Sequence, residues 1–213
     1  MLRKATTVLA LTLLAVAAVL IGPGSVQADR PSLPLEAERF LEDPSQAESG
    51  VAEVICSPKG RLVSLTIDGK VSTAGLAALV RGCQQAASGS AAAQTLYTRT
   101  CYSEYVGRST ARLALYKLWV RATAYVTTTV PGGKIISFAD PPSYGAQTYV
   151  VGWQYSSLRG DAYWFSYPYQ IKAYATADFA YKLFGVTWSQ ATRWVWADLY
   201  HKDGLTICRP WAY

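Results

Sequence analysis

The sequence predicts a mainly β protein, an antiparallel, immunoglobulin-like β-sandwich preceded by a small ββα unit. Three observations carry this expectation. Residues 116–126 alternate without a break: Tyr116, Leu118, Val120, Ala122, Ala124 and Val126 interleave with Lys117, Trp119, Arg121, Thr123 and Tyr125. A period of two marks a long half-buried strand. Further short runs at 135–138, 148–155, 163–165, 171–175, 193–201 and 205–208 are set off by turn signals such as Pro131-Gly132-Gly133 and Lys202-Asp203-Gly204. That spacing fits a sandwich of antiparallel strands. Finally, residues 29–95 hold one aromatic residue, Phe40, whereas residues 96–213 hold 26, a break that divides the chain into two units.

The elements follow in order. Residues 1–28 read as a secretory signal peptide. Arg3 and Lys4 open it, an apolar run fills 8–21, Gly22-Pro23-Gly24 ends the run, and Val26-Gln27-Ala28 offers a cleavage site after Ala28. The apolar run is about 14 residues, short of the ~20 that span a bilayer, so no transmembrane anchor is expected. Loss of Arg3 and Lys4 takes the net charge from +6 to +4.

Residues 29–50 carry six acidic and two basic residues and the prolines Pro31, Pro34 and Pro44. They read as a flexible acidic arm with a short helix over 35–43, whose apolar residues Leu35, Phe40 and Leu41 are candidate anchors for a partner. Residues 51–87 read as strand, turn (Ser57-Pro58-Lys59-Gly60), strand, and a helix capped by Ser72. Leu76, Leu79, Val80, Cys83 and Ala87 form the apolar face of that helix. Residues 88–95, rich in Ser, Gly and Ala, read as a linker. Residues 96–213 are then the aromatic-rich sandwich, expected to fold alone. The stretch 177–184 also reads as a helical turn.

Four cysteines, Cys56, Cys83, Cys101 and Cys208, allow three pairings, and an even count in an exported chain favours disulfides. Cys56–Cys83 with Cys101–Cys208 is preferred because each bond closes within one compositional half. The absence of close C-x2-C pairs disfavours a zinc site.

Composition limits the chemistry. A chain 51% hydrophobic and 16% charged is not disordered. A single histidine, His201, excludes sites that need two imidazoles, and no G-x-S-x-G elbow accompanies it; it reads as an exposed turn residue. Of the carboxylates in the second half, Asp140, Asp161 and Asp203 suit turns, which leaves Glu104, Asp178 and Asp198 as the pool for a carboxylate hydrolase. No catalytic residue, cofactor or metal ligand is assigned. Trp194, Trp196 and Tyr200 share one face of their strand with Asp198, while Val195, Ala197 and Leu199 share the other. If the aliphatic face is the core, the aromatic face is a candidate surface for a glycan or a protein. The basic residues of the second half are dispersed in sequence, and export argues against nucleic acid as a partner.

Two resemblances attach to these segments. The strand–strand–helix order, with Gly60-Arg61-Leu62-Val63-Ser64-Leu65-Thr66-Ile67-Asp68, resembles the second half of a family of small bacterial nucleoid-associated proteins; the export signal and cysteines speak against that role. The layout of export signal, acidic arm, cysteine-bridged unit and basic aromatic sandwich resembles the small bridging subunit of secreted actinobacterial umbrella toxin particles. That resemblance implies a secreted, non-enzymatic adaptor that docks other secreted proteins. A cell-wall glycan binder and a secreted carboxylate hydrolase are the alternatives.

Overall fold

The protein is described from a computed structural model, over residues 35–87, 96–127, 132–203 and 205–212. The signal-peptide reading of 1–28, the start of the arm at 29–34 and the linker at 88–95 lie outside the described residues. In chain order a one-turn helix α1 (Leu35–Glu38) and a 3-10 turn (Pro44–Gln46) precede β1 (Glu48–Cys56), β2 (Leu62–Gly69) and α2 (Thr73–Ala87). Eight strands follow: β3 (Tyr97–Arg108), β4 (Ala114–Val126), β5 (Ile135–Phe138), β6 (Ser143–Thr148), β7 (Trp153–Ser166), β8 (Gln170–Leu183), β9 (Val186–Lys202) and β10 (Leu205–Ala212). Among the described residues no helix is long and apolar enough to cross a membrane.

The strands form two antiparallel sheets. One is ordered β2-β1-β3-β4, with β5 and β6 both on the far edge of β4; the other is ordered β10-β9-β8-β7. The alternation read from residues 116–126 is real: Tyr116, Leu118, Val120, Ala122, Ala124 and Val126 are all buried. They face Ile171, Ala173, Ala175, Ala177 and Phe179 of β8 and Val195, Ala197 and Leu199 of β9 in one apolar core. The sheets therefore meet in a sandwich-like layout. Tyr116 stacks on Phe179 with ring centres 4.0 Å apart. A Cβ at residue 107 would come within 2.5 Å of the Tyr116 ring, so Gly107 is what lets that ring lie against β3. Burying side chains of this size is worth roughly 1.5–3 kcal/mol each.

Both disulfides form as the compositional argument preferred. Cys56–Cys83 pins α2 to β1, and Cys101–Cys208 joins β3 in one sheet to β10 in the other. Two such bonds fit a chain that folds in an oxidising compartment.

Five expectations are corrected. The connectivity within the four-stranded sheet is a plain meander, not the Greek key of an immunoglobulin-like fold, because β8, β9 and β10 each hairpin directly onto the strand before. The ββα segment is no separate unit: β1 pairs along its whole length with β3, from Glu48–Val106 to Cys56–Thr98. The change of composition near residue 95 therefore falls inside one sheet, and the described residues all belong to one compact unit beginning at Leu33. Residues 37–50 are docked, not free. Ala37 is buried, Phe40 and Leu41 pack on the main core, and the Asp43 amide donates to the Arg108 carbonyl at 2.7 Å. Lastly, residues 177–183 continue strand β8, and Val80 points outward from α2 at 38% exposure.

Candidate functional site

The inner rows of β8 and β9 carry four alanines, Ala173, Ala175, Ala177 and Ala197, all buried. Small inner residues let the four-stranded sheet lie close against β4. Phe179 and Tyr181 of β8 also lie inside, whereas Tyr174 of β8 and Trp194, Trp196 and Tyr200 of β9 stand on the opposite, outward face. Trp194, Trp196, Asp198 and Tyr200 alternate there along β9, as their spacing indicated.

Register builds a surface from this alternation. Tyr174 of β8 lies opposite Trp196 and is opposed on its other side by Asp161 of β7. The ring centres of Tyr174 and Trp196 are 5.0 Å apart, those of Tyr174 and Trp194 5.6 Å, and the two indoles lie within 11° of parallel at 6.1 Å. All three rings are half-buried by one another. The next row reads Tyr163, Lys172, Asp198, Arg209 across the four strands. Lys172 Nζ sits 3.6 Å from the centre of the Phe165 ring, an arrangement worth about 0.5–1 kcal/mol at an exposed site. Phe165 and Tyr167 are 56% and 76% exposed.

A shallow cavity of about 190 Å³ opens on this face, lined by Gln170, Asp198, Tyr200, Ile207 and Arg209. Asp198 is buried in its floor and accepts a hydrogen bond from Gln170 Nε2 at 2.7 Å. Burial first, then the negative potential of Tyr174, Asp198 and Asp161, holds the Tyr163 phenol above its ordinary pKa, so it stays a neutral donor. The face thus offers flat aromatic surface for stacking, a carboxylate and an amide as hydrogen-bonding groups, and cations of Lys172 and Arg209 alongside.

The other candidates fall elsewhere. Asp178 is also on the outward face of β8, but six positions from Lys172, the residue opposite Asp198; at ~3.3 Å per residue this is about 20 Å, far beyond the separation of a hydrolytic carboxylate pair. The Thr192 hydroxyl, and after it Ser157, holds its carboxyl below the ordinary value. Glu104 is buried on the opposite side of the molecule. It accepts from the Ser72 amide at 2.5 Å, the Ser72 hydroxyl at 2.9 Å and the Tyr102 phenol at 2.7 Å, and lies 3.6 Å from Lys117 Nζ. These contacts fix the start of α2. The structure brings none of the three carboxylates together.

His201 is not an exposed turn residue. It is fully buried, its Nε2 donates to the Thr127 carbonyl at 2.8 Å, and burial, ahead of the Arg99 charge, pushes its pKa down. Phe40 and Leu41 are consumed by the core, where the Trp153 indole donates to the Phe40 carbonyl at 2.9 Å; Leu35 opens α1. Of the candidate binding residues, Trp194, Trp196 and Tyr200 share one surface. Sequence reading missed Tyr174, Lys172 and Gln170 as members of it. Their signal was present in the alternation with Ile171, Ala173 and Ala175, which marks them as outward once those alanines are taken as core.

A second concavity of about 280 Å³ lies between α2 and β4, lined by Gly75, Leu79, Tyr102, Lys117, Trp119 and Arg121 among others. Among the described residues no three His, Cys, Asp or Glu side chains gather to hold a metal ion. No family model, curated protein or solved structure matches the chain.

Proposed function

We propose that the protein is a secreted, non-enzymatic binding or adaptor protein that docks other secreted proteins through the outward face of its four-stranded sheet. The observation that carries the reading is the rack of Tyr174, Trp194 and Trp196, with Lys172 under the exposed Phe165 ring on the same face, standing outside a core already complete without them. Aromatic clusters with a charged rim are what protein interfaces concentrate. The disulfides support export, and the layout resemblance to a bridging subunit of a secreted particle implies the same kind of role. Docking falls to the sheet face, because Phe40 and Leu41 of the 29–50 segment are already engaged in cis.

A glycan ligand is the second reading, favoured by the near-parallel indoles of Trp194 and Trp196 above the Gln170–Asp198 pair. Tagged mature protein incubated in culture supernatant and on cell-wall preparations separates the two. The adaptor reading expects one or more secreted chains to co-purify stoichiometrically, with capture lost in Trp194→Ala and Trp196→Ala while the melting temperature is kept. Retention on wall material that falls in the same variants, with no captured chain, replaces it with the glycan reading. Capture that survives both substitutions removes this face as the interface.

A further inference from the structure

Strand β2 is the outermost strand of the six-stranded sheet, and seven of its eight residues are exposed. Leu65 and Ile67 lie opposite Val54 and Ala52, and Leu62 opposite Cys56, so all three share the side of the sheet that carries α2. The helix packs over β1 and β3 and stops short of them. Leu62, Val63, Leu65 and Ile67 are left 45%, 56%, 39% and 46% exposed. Exported proteins normally protect such an edge with charge or proline; residues 62–67 contain neither.

The backbone of this edge is open as well. The Lys70 amide donates to the Ser49 carbonyl directly opposite it. Because bonded and non-bonded pairs alternate in an antiparallel ladder, Asp68, Thr66 and Ser64 turn their backbone groups to β1, and Leu65 and Ile67 turn theirs to the free edge.

The order of side chains identifies what fits there. Val63-Ser64-Leu65-Thr66-Ile67 reads the same chemically in both directions: a β-branched aliphatic, a hydroxyl, Leu65, a hydroxyl, a β-branched aliphatic. Arg61 and Asp68 flank it with opposite charge, and neither side chain has an ion-pair partner among the described residues. A two-fold contact requires a self-complementary patch. We propose that β2 pairs antiparallel with β2 of a second copy, Leu65 against Leu65, which joins two six-stranded sheets edge to edge. Val63 then opposes Ile67, Ser64 opposes Thr66, and Arg61 of each copy comes beside Asp68 of the other. One strand per copy is a smaller contact than the about 20–30 residues a side of a standard interface, so the dimer is expected to dissociate on dilution.

Sedimentation of the oxidised mature protein over a concentration series tests this. The wild type should pass from monomer to twice the monomer mass as concentration rises. Leu65→Pro removes an amide that faces the open edge and spares the β1 ladder; Leu65→Lys sets two charges at the two-fold axis. Both should remain monomeric throughout, with unchanged circular dichroism. Arg61→Asp should raise the dissociation constant at least about tenfold, and Arg61→Asp combined with Asp68→Arg should restore it. If the Leu65 variants fail to fold, this exposed charge swap decides by itself, and no change in it overturns the pairing. A wild type that is monomeric at every concentration, including one that takes up a strand from a different secreted chain, overturns it, as does a dimer indifferent to both Leu65 substitutions.

Discussion

Glu42 and Arg193 are 151 positions apart and meet at 2.7 Å. The same Glu42 accepts from the Tyr105 phenol at 2.8 Å, and Arg193 Nε donates to the Tyr116 phenol at 3.1 Å. Burial opposes the charge on Arg193, but the Glu42 carboxylate and the Tyr116 and Tyr105 phenols together outweigh it and hold the guanidinium protonated. Burial and the Glu42 charge push Tyr105 up to about 12. A segment that looked like a mobile arm thus supplies the counter-ion for a cation at the sheet–sheet junction.

Glu42→Ala should therefore cost about 3–5 kcal/mol, the range for removing one partner of a buried pair, and urea denaturation measures it. Deletion of residues 29–47 should lower the melting temperature at least as far. A deletion that leaves the melting temperature unchanged would show the contact to be of no consequence.

A chain of residues 96–213 should fail to fold cooperatively even with Cys101–Cys208 formed. Its β3 edge, paired residue by residue with β1 in the whole protein, would be bare, and the Phe40 and Leu41 contacts would be lost. Near-ultraviolet circular dichroism and thermal melting check this; a sharp transition in the fragment would restore the independence that composition suggested.

The contrast shows what the sequence could carry. Period-two alternation is local, so the faces of β4 and β9 and the outward position of Trp194, Trp196 and Tyr200 were legible from spacing. The disulfides were legible from the compositional halves and the helix face that carries Cys83. Pairing partners are non-local. Nothing in residues 48–56 states that their second neighbour is β3, and a run such as 35–43 with three apolar residues looks the same whether it docks in cis or on a partner. Glu104 illustrates the limit: a lone carboxylate in a strand gave no sign that it would meet Ser72, 32 positions earlier.

Glu104→Ala should destabilise the protein by about 2–3 kcal/mol, since it strands the Ser72 amide, the Tyr102 phenol and the Lys117 ammonium together. Hydrogen exchange should quicken first at the opening turn of α2, where Ser72 caps the helix by accepting from the Gly75 amide. Uniform loss of protection across both sheets instead would mean that Glu104 supports the core, not the cap.

Cys101→Ser with Cys208→Ser should cost roughly 2–5 kcal/mol, because this bond closes the longer loop and is the covalent link between the two sheets. The Cys56→Ser, Cys83→Ser pair should loosen α2 over β1 and leave the four-stranded sheet intact. Intact-mass measurement of the wild type without reductant should show no cysteine open to alkylation.

His201 should make stability fall in mild acid. Its folded pKa is depressed below 6.5, by burial above all, with the Arg99 charge adding to burial while the Thr127 carbonyl and Asp203 oppose it. The unfolded chain therefore binds a proton at a pH where the folded chain does not. Stability from the neutral imidazole is fully present above the unfolded value of 6.5 and declines as pH falls through it toward the lower folded value, below which the loss levels off. Glu53 acts in the opposite sense over the range just above 4.5, because burial raises its folded pKa despite Arg99. Comparing wild type with His201→Gln isolates the imidazole from this carboxylate. Glutamine keeps a donor for the Thr127 carbonyl and cannot titrate. Between pH 7.5 and pH 5.5 the wild type should lose melting temperature while His201→Gln changes less, with the two curves converging as the medium is acidified. Parallel curves over that interval would show that the buried imidazole stays neutral in both states, and that the acid sensitivity of the fold lies with its carboxylates.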